Sequence, residues 1–151
     1  MKLALIILLG LCFIYLGYCV KKYYKNRYDF YYNFTNFIQI LLSEISFLKS
    51  DISKVAQSNS FGSILDNWLN SYVNGNISNI SFLTDEENTQ LISFISGIGK
   101  SDMQGELANI NYHKSLFESK LQETKGDIDI KAGMYFKLIS LAGVILCIIF
   151  I

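Results

Sequence analysis

The chain contains no proline, a single histidine and only three cysteines among its 151 residues. The cysteines lie in the two terminal apolar runs, at Cys12, Cys19 and Cys147, so the middle of the chain can form neither a disulfide framework nor a cysteine-based metal site. With His113 as the one histidine, no site built on two imidazoles and no convincing Ser-His-Asp triad can be assembled. The lack of proline suits a helical protein.

Negative charge dominates the middle of the chain, although the whole chain has a formal net charge of zero. Residues 28–130 contain all thirteen acidic residues and only six lysines, which gives this segment a net charge of −7. Such a surface repels phosphates, which argues against DNA or RNA as a partner. Four basic residues instead form a cluster directly after the first apolar run: Lys21, Lys22, Lys25 and Arg27.

The first apolar run, Leu3 to Val20, contains no charged residue. As an α-helix it would be about 27 Å long, close to the thickness of the hydrocarbon core of a bilayer. We therefore predict a retained membrane anchor over residues 1–22. A cleaved secretion signal is the alternative, but its apolar core would be shorter, and no small-x-small pair precedes a plausible cleavage site. By the positive-inside rule, the basic cluster predicts that the chain after Val20 is cytoplasmic.

The last third of the chain, residues 101–151, has the pattern of one long helix. From Met103 onward, alternating steps of four and three residues define eleven positions, and eight of them are apolar. Residues at this spacing lie on one face of a helix. These positions are Met103, Leu107, Ile110, Lys114, Phe117, Leu121, Thr124, Ile128, Lys131, Tyr135 and Leu138. After Lys137 the sequence is almost wholly apolar, so we predict a second membrane anchor over residues 132–151, about 30 Å long.

A second stripe with the same spacing runs through residues 29–57, where we predict another helix. Its members are Phe34, Ile38, Leu41, Ile45, Leu48, Ile52 and Val55. If both ends of the chain are held in one membrane, this helix leaves the membrane and the last one returns to it, so the two stripes can pair antiparallel. The sequence therefore predicts an all-α fold, with a small antiparallel helical bundle over residues 23–131 and a transmembrane helix on each side of it.

Two short helices are predicted between the long ones. The first covers residues 61–72 and ends at the turn residues 74–76. The second begins at Thr84, which forms a capping box with Glu87, and stops near Gly97. Ser101 and Gln104 repeat the capping-box spacing at the start of the long helix. We expect the acidic residues at positions 85–87 to complement the helix dipole, and we expect His113 to lie on a solvated helix face.

Residues 97–101, Gly-Ile-Gly-Lys-Ser, resemble the end of a phosphate-binding loop. That loop needs a further glycine where this chain has Phe94, and a strand before it, which the pattern does not predict. We therefore prefer a turn between two helices, with a nucleotide hydrolase that uses Lys100 as the alternative. No other pattern indicates a catalytic, cofactor-binding or metal-binding residue, so we expect a protein without enzymatic activity that acts through its surfaces.

Three stretches of the sequence together resemble one known family. They are residues 98–102, Ile-Gly-Lys-Ser-Asp, residues 41–45, Leu-Leu-Ser-Glu-Ile, and the mostly apolar residues that follow Lys137 up to Gly143. The first is similar to the Leu-Gly-x-x-Asp turn, the second to the Leu-x-x-Glu-Ile segment and the third to the closing anchor of the stage III sporulation protein AB family of endospore-forming bacteria. Four residues after the aspartate of the turn, where the family often has glutamine, this chain has Glu106.

The resemblance implies a part of the sporulation channel apparatus that links mother cell and forespore. The protein would lie in the mother-cell membrane that faces the forespore, with its helical domain in the cytoplasm. The soluble domain of the family is similar to the cytoplasmic domain of the platform protein of type II secretion and type IV pilus systems, which sits beside a secretion ATPase. The expected partners are therefore the stage III sporulation AA-type ATPase, other membrane proteins of the same complex and the lipid bilayer, and a homo-oligomer is considered as well.

We take the turn between the last two helices as the candidate docking site. Its residues are Gly97, Gly99, Lys100, Asp102 and Glu106. In the alternative interpretation, Gly99 and Asp102 only end one helix and cap the next. A secretion or pilus platform-like membrane adaptor that is not specific to sporulation is the alternative function.

Overall fold

The computed structural model describes residues 2–48, 60–76 and 78–149. These residues form four helical stretches and no strand, which confirms the predicted all-α class. The helices are α1 (Lys2–Leu48), α2 (Ser63–Val73), α3 (Asp85–Gly97) and a C-terminal helix made of α4 (Met103–Gly126), a π-helical segment (Asp127–Ala132) and α5 (Gly133–Ile149). Ile52 and Val55 of the predicted first stripe lie outside the described residues, as do the side chains of Ile45 and Leu48.

The chain forms two compact units. One unit, which we call the anchor unit, combines Met1–Tyr28 with Glu123–Ile151. The other, which we call the bundle unit, is Asp29–Gln122. The sequence predicts different boundaries, at residues 1–22, 23–131 and 132–151, because these mark where a bilayer would begin and end. Packing within the chain does not test the position of a bilayer, so these boundaries stay predictions.

Aromatic rings form the centre of the bundle unit. Phe34 on α1 is fully buried, and its ring meets Phe117 of α4 at 4.7 Å and Phe94 of α3 at 5.8 Å, both edge to face. This is the favoured geometry for ring pairs, because the positive edge of one ring meets the negative face of the other. Ile38 and Leu41, the next residues of the predicted stripe, are also fully buried. The predicted core face of α1 is confirmed at these positions.

Helix α2 packs Leu65, Trp68 and Leu69 into the same core. Its start is fixed by Asp66, whose carboxylate accepts hydrogen bonds from the Phe61 backbone N–H at 2.8 Å and from the hydroxyl of a neighbouring serine. The helix ends before Gly75, which has a φ of 80°. Only glycine adopts this left-handed conformation without strain, so the predicted turn at residues 74–76 ends the helix as expected.

In the anchor unit, α1 and α5 pack antiparallel and in close contact. Gly10 lies beside Cys147, and further along the pair the ring of Phe136 packs on Gly17. A Cβ atom at Gly143 would lie 2.6 Å from the Cβ atom of Phe13, closer than such atoms approach. Small residues let helix backbones approach in this way, which is the usual basis of packing between membrane helices.

The helices that contain these segments are long and apolar enough to cross a membrane. Large apolar side chains cover the exterior of the anchor unit. Those exposed by half or more include Ile7, Leu8, Leu11, Leu138, Leu141, Val144 and Ile148. A surface of this kind is stable in lipid but not in water, so the structure is compatible with a membrane protein.

The predicted stripe on the C-terminal helix is wrong beyond Ile128. Lys131 and Leu138 are exposed instead of packed, and Tyr135 is 40% exposed although its ring contacts Tyr24 of α1. The buried or half-buried residues lie one position later, at Ala132, Phe136 and Ile139. The cause is the π-helical segment Asp127–Ala132, because a π turn contains about one residue more than an α turn and moves the packed face along the sequence.

Candidate functional site

The candidate docking turn connects α3 to α4. Gly97 is the last residue of α3, and Gly99 has a φ of 82°, a conformation that favours glycine. Lys100 and Ser101 follow with exposed side chains, and α4 begins at Met103. The structure therefore places a tight, solvent-facing turn where the sequence predicted a connection between helices.

Glu106, a buried residue of α4, forms a hydrogen bond to this turn. Its Oε1 accepts a hydrogen bond of 2.9 Å from the backbone N–H of Gly99, and the residue is only 5% exposed. Its second oxygen, Oε2, is buried and has no hydrogen-bond partner in the part of the chain that the structure describes. A buried carboxylate with one oxygen unpaired is costly, so this residue stabilises the turn less than a fully paired group would.

Asp102 caps α4. Its Oδ1 accepts a hydrogen bond of 3.1 Å from the backbone N–H of Gly105, and its carbonyl oxygen accepts one of 2.8 Å from the N–H of Glu106. The predicted capping box of Ser101 and Gln104 is therefore wrong by one residue. With Asp102 as the cap, the third helical position is Gly105, which has no side chain to return the hydrogen bond.

The five candidate residues differ in how far the structure brings them into contact. Gly99, Asp102 and Glu106 belong to the hydrogen bonds just described. Gly97 faces α4, where a Cβ atom would lie 3.6 Å from the side-chain nitrogen of Asn109. Lys100 is exposed. Helix termination and capping account for these contacts, and a docking role for the turn stays a prediction.

The predicted capping box at the start of α3 is confirmed. Thr84 Oγ1 accepts a hydrogen bond of 3.2 Å from the Glu87 N–H, and Glu87 Oε2 accepts one of 2.9 Å from the Thr84 N–H. Glu87 is buried and also lies 3.8 Å from the Lys120 ammonium on α4. Its carboxylate, one of the acidic cluster at positions 85–87, is thus occupied by structural contacts.

Asn88 is a buried polar residue that the sequence analysis missed. Its Oδ1 accepts a hydrogen bond of 2.8 Å from the Ile80 N–H, and its Nδ2 donates to the Ile80 carbonyl oxygen at 3.2 Å. Nδ2 also donates to the carbonyl oxygens of Leu83 and Thr84, at 3.3 and 3.0 Å. One side chain therefore holds the loop before α3 against the core, and no sequence motif signals it.

His113 does not lie on a solvated face, contrary to the sequence-based expectation. Its ring is half-buried, 4.9 Å from the ring of Phe94 and 6.2 Å from the ring of Phe117. Burial disfavours the charged imidazolium and lowers the pKa of His113 below 6.5. The polar neighbours of His113 in sequence indicate a solvated face, whereas the core of aromatic rings extends to its position.

The chemistry available in the described ranges 2–48, 60–76 and 78–149 is limited. They contain no group of three or more histidine, cysteine or acidic side chains that could hold a metal ion. Phe94, at the position where a phosphate-binding loop needs glycine, is fully buried within α3. The strand that such a loop follows is not found in these ranges. Nothing in this geometry favours the nucleotide hydrolase alternative.

Comparison with known proteins identifies the family of the chain. Searches of curated proteins and of solved structures find no match to the chain. The family model described as stage III sporulation protein AB matches residues 59–151, which is more than half of the chain. The match includes the turn at residues 98–102 and the closing anchor from which the resemblance was drawn. The chain therefore belongs to the stage III sporulation protein AB family and has a role in sporulation.

Proposed function

We propose that the protein is a non-enzymatic membrane scaffold of a sporulation complex and that its bundle unit docks a secretion-type ATPase. The family match carries the sporulation part of this proposal. The two long apolar helices support a membrane scaffold, because they offer two points of attachment to a bilayer. The proposed partner is the stage III sporulation AA-type ATPase, together with other membrane proteins of the same channel complex between mother cell and forespore.

The distribution of charge supports a cytoplasmic position for the bundle unit. Four basic residues lie within seven residues of the end of the first apolar run. Positive charge in short flanking segments favours the cytoplasmic side of a membrane. In this proposal the anchors lie in the mother-cell membrane that faces the forespore, and the bundle unit is in the mother-cell cytoplasm.

The turn between α3 and α4 is the proposed contact with the ATPase. It presents the charged side chain of Lys100 and the apolar side chain of Met103, which is 49% exposed. The hydrogen bond between Gly99 and Glu106 and the cap at Asp102 hold the backbone on either side. A surface that is ordered before binding loses less conformational entropy on docking, which favours this turn over a flexible loop.

Substitution of the two exposed side chains tests the contact. Lys100→Ala with Met103→Ala in the full chain should weaken binding of the ATPase about thirtyfold, because two interface residues that contribute about 1 kcal/mol each remove about 2 kcal/mol together. Asp102 is less suitable for this purpose, since loss of a helix cap costs about 1 kcal/mol of stability by itself.

Lys114→Ala is the matched control. It removes one positive charge from the same unit, where Lys114 forms a surface ion pair of 3.8 Å with Glu118, and it should leave capture unchanged. Capture should be measured by pull-down from detergent extract, with the melting temperature of each variant recorded. Equal capture of the ATPase by the double variant, the control and the original chain would reject the turn as the contact.

A further inference from the structure

A groove with a volume of about 450 Å³ lies between the two helices of the anchor unit. Its lining residues come from adjacent turns of α1 and α5: Cys19, Val20, Tyr23, Tyr24, Tyr135 and Ile139. The rings of Tyr24 and Tyr135 are nearly parallel, at an angle of 7°, with centroids 6.3 Å apart. The groove is thus lined by apolar side chains and tyrosine rings.

The groove lies where the apolar part of α1 ends. Val20 is the last residue of the uncharged run, and the exposed residues Lys21, Lys22 and Lys25 alternate in sequence with groove residues. Tyrosine and lysine together at the end of an apolar helix are typical of the boundary between lipid and water. The groove therefore opens at the depth where the headgroups of a bilayer would lie.

Positive charge is in excess at this end of the anchor unit. Residues 123–137 contain three lysines and three acidic residues, which balance. One of these lysines, Lys131, is bonded to Asp127, with 2.7 Å between its Nζ and Oδ1 of the aspartate. The four basic residues of the cluster on α1 therefore give this end of the anchor unit a net charge of +4. This charge is complementary to an anionic headgroup and not to a zwitterionic one.

We propose that this groove binds one anionic phospholipid. An acyl chain lies against Cys19, Val20 and Ile139, while the phosphate is held by the lysines of the basic cluster and by tyrosine hydroxyls. The α1 wall of the groove, residues 19–24, covers only about 7.5 Å of helix axis. This length suits one lipid chain better than a partner helix, which packs over several turns. The proposal does not depend on ATPase docking.

The first test uses the full chain in detergent, with phosphatidylglycerol and phosphatidylcholine that carry the same acyl chains. Native mass spectrometry should show one retained phosphatidylglycerol, at about tenfold preference over phosphatidylcholine. Val20→Trp, which fills the groove and leaves the lysines in place, should abolish this retention. Leu11→Trp, on an exposed part of α1 outside the groove, is the control and should not. Unchanged retention in the Val20 variant, or equal retention of both lipids, would overturn the proposal.

The second test needs no substitution, so it stands even if Val20→Trp fails to fold. Cys19 lines the groove, whereas Cys12 is exposed elsewhere on α1. Phosphatidylglycerol should slow alkylation of Cys19 by a maleimide several-fold and leave the rate at Cys12 unchanged, and phosphatidylcholine should affect neither. Equal protection of the two cysteines would show that lipid covers the helix without using the groove. Protection of Cys19 that needs no lipid and grows with protein concentration would assign the groove to a second copy of the chain.

Discussion

Replacement of Asn88 by alanine tests a buried polar side chain of the bundle unit that makes four hydrogen bonds. The substitution removes four hydrogen bonds to the loop before α3. Two of the partner atoms keep another hydrogen bond, because the Ile80 carbonyl oxygen also accepts from the Leu83 N–H and the Thr84 carbonyl oxygen also accepts from the Asn88 N–H. The Ile80 N–H and the Leu83 carbonyl oxygen lose the only hydrogen bond that the structure gives them.

The expected loss of stability follows from these two groups. Both residues are buried, and a buried polar group left without a partner costs about 1–3 kcal/mol. With partial relaxation of the loop, we expect Asn88→Ala to lower the free energy of unfolding by about 3 kcal/mol. For a unit of this size, about 1 kcal/mol shifts the melting temperature by about 4–8 °C, so the melting temperature should fall by about 12–24 °C.

Trp68 provides the assay, since it is the only tryptophan of the chain and is buried in the bundle unit. Its Nε1 donates a hydrogen bond of 2.9 Å to the carbonyl oxygen of Ser78, in the loop that Asn88 holds. Thermal unfolding of the full chain in detergent, followed by tryptophan fluorescence, therefore reports on this loop directly. Asn67→Ala, on the exposed side of α2, is the matched control. A fall for Asn88→Ala no larger than that of the control would refute the reasoning.

Two further predictions concern His113 and the packing of α1 on α5. Because the folded chain holds the pKa of His113 below 6.5, the unfolded chain takes up the proton first on acidification. The melting temperature should fall as the pH drops from about 7.5 to about 5.5, and His113→Leu should remove that part of the fall. In a background without the other two cysteines, Gly10→Cys should form a disulfide with Cys147, whose Sγ lies 3.7 Å from a Cβ atom at residue 10. Gly143→Leu should prevent the disulfide, which thiol alkylation and mass would show; an unchanged yield would contradict the packing of α1 on α5.

Local patterns predicted the fold well. Phe34, Ile38 and Leu41 are fully buried as their spacing requires, because one apolar stripe must face the core of a helical bundle. The box formed by Thr84 and Glu87 was also found, since its two hydrogen bonds join residues only three apart. In both cases the information lies within a few residues of sequence.

Features that depend on the tertiary structure were missed. Asn88 is satisfied only because the loop containing Ile80 folds back over it, which no short motif encodes. The π-helical segment Asp127–Ala132 is not predicted because a stripe of constant spacing assumes α-helical geometry along its whole length. At the candidate turn, sequence located Gly99 and Asp102 correctly, but it did not reveal that the buried carboxylate of Glu106 holds the turn from inside.

The antiparallel packing of α1 on α5 has a consequence for labelling the protein in cells. Ile6 and Cys147 lie at the same end of the pair, since the thiol donates a hydrogen bond of 3.6 Å to the Ile6 carbonyl oxygen. In a bilayer that both helices cross, a fluorescent tag placed before Lys2 and one placed after Ile149 would therefore enter the same compartment. One topology reporter at either position, combined with one inserted next to Gly75, would then test whether the bundle unit lies on the opposite side of that bilayer from both tags.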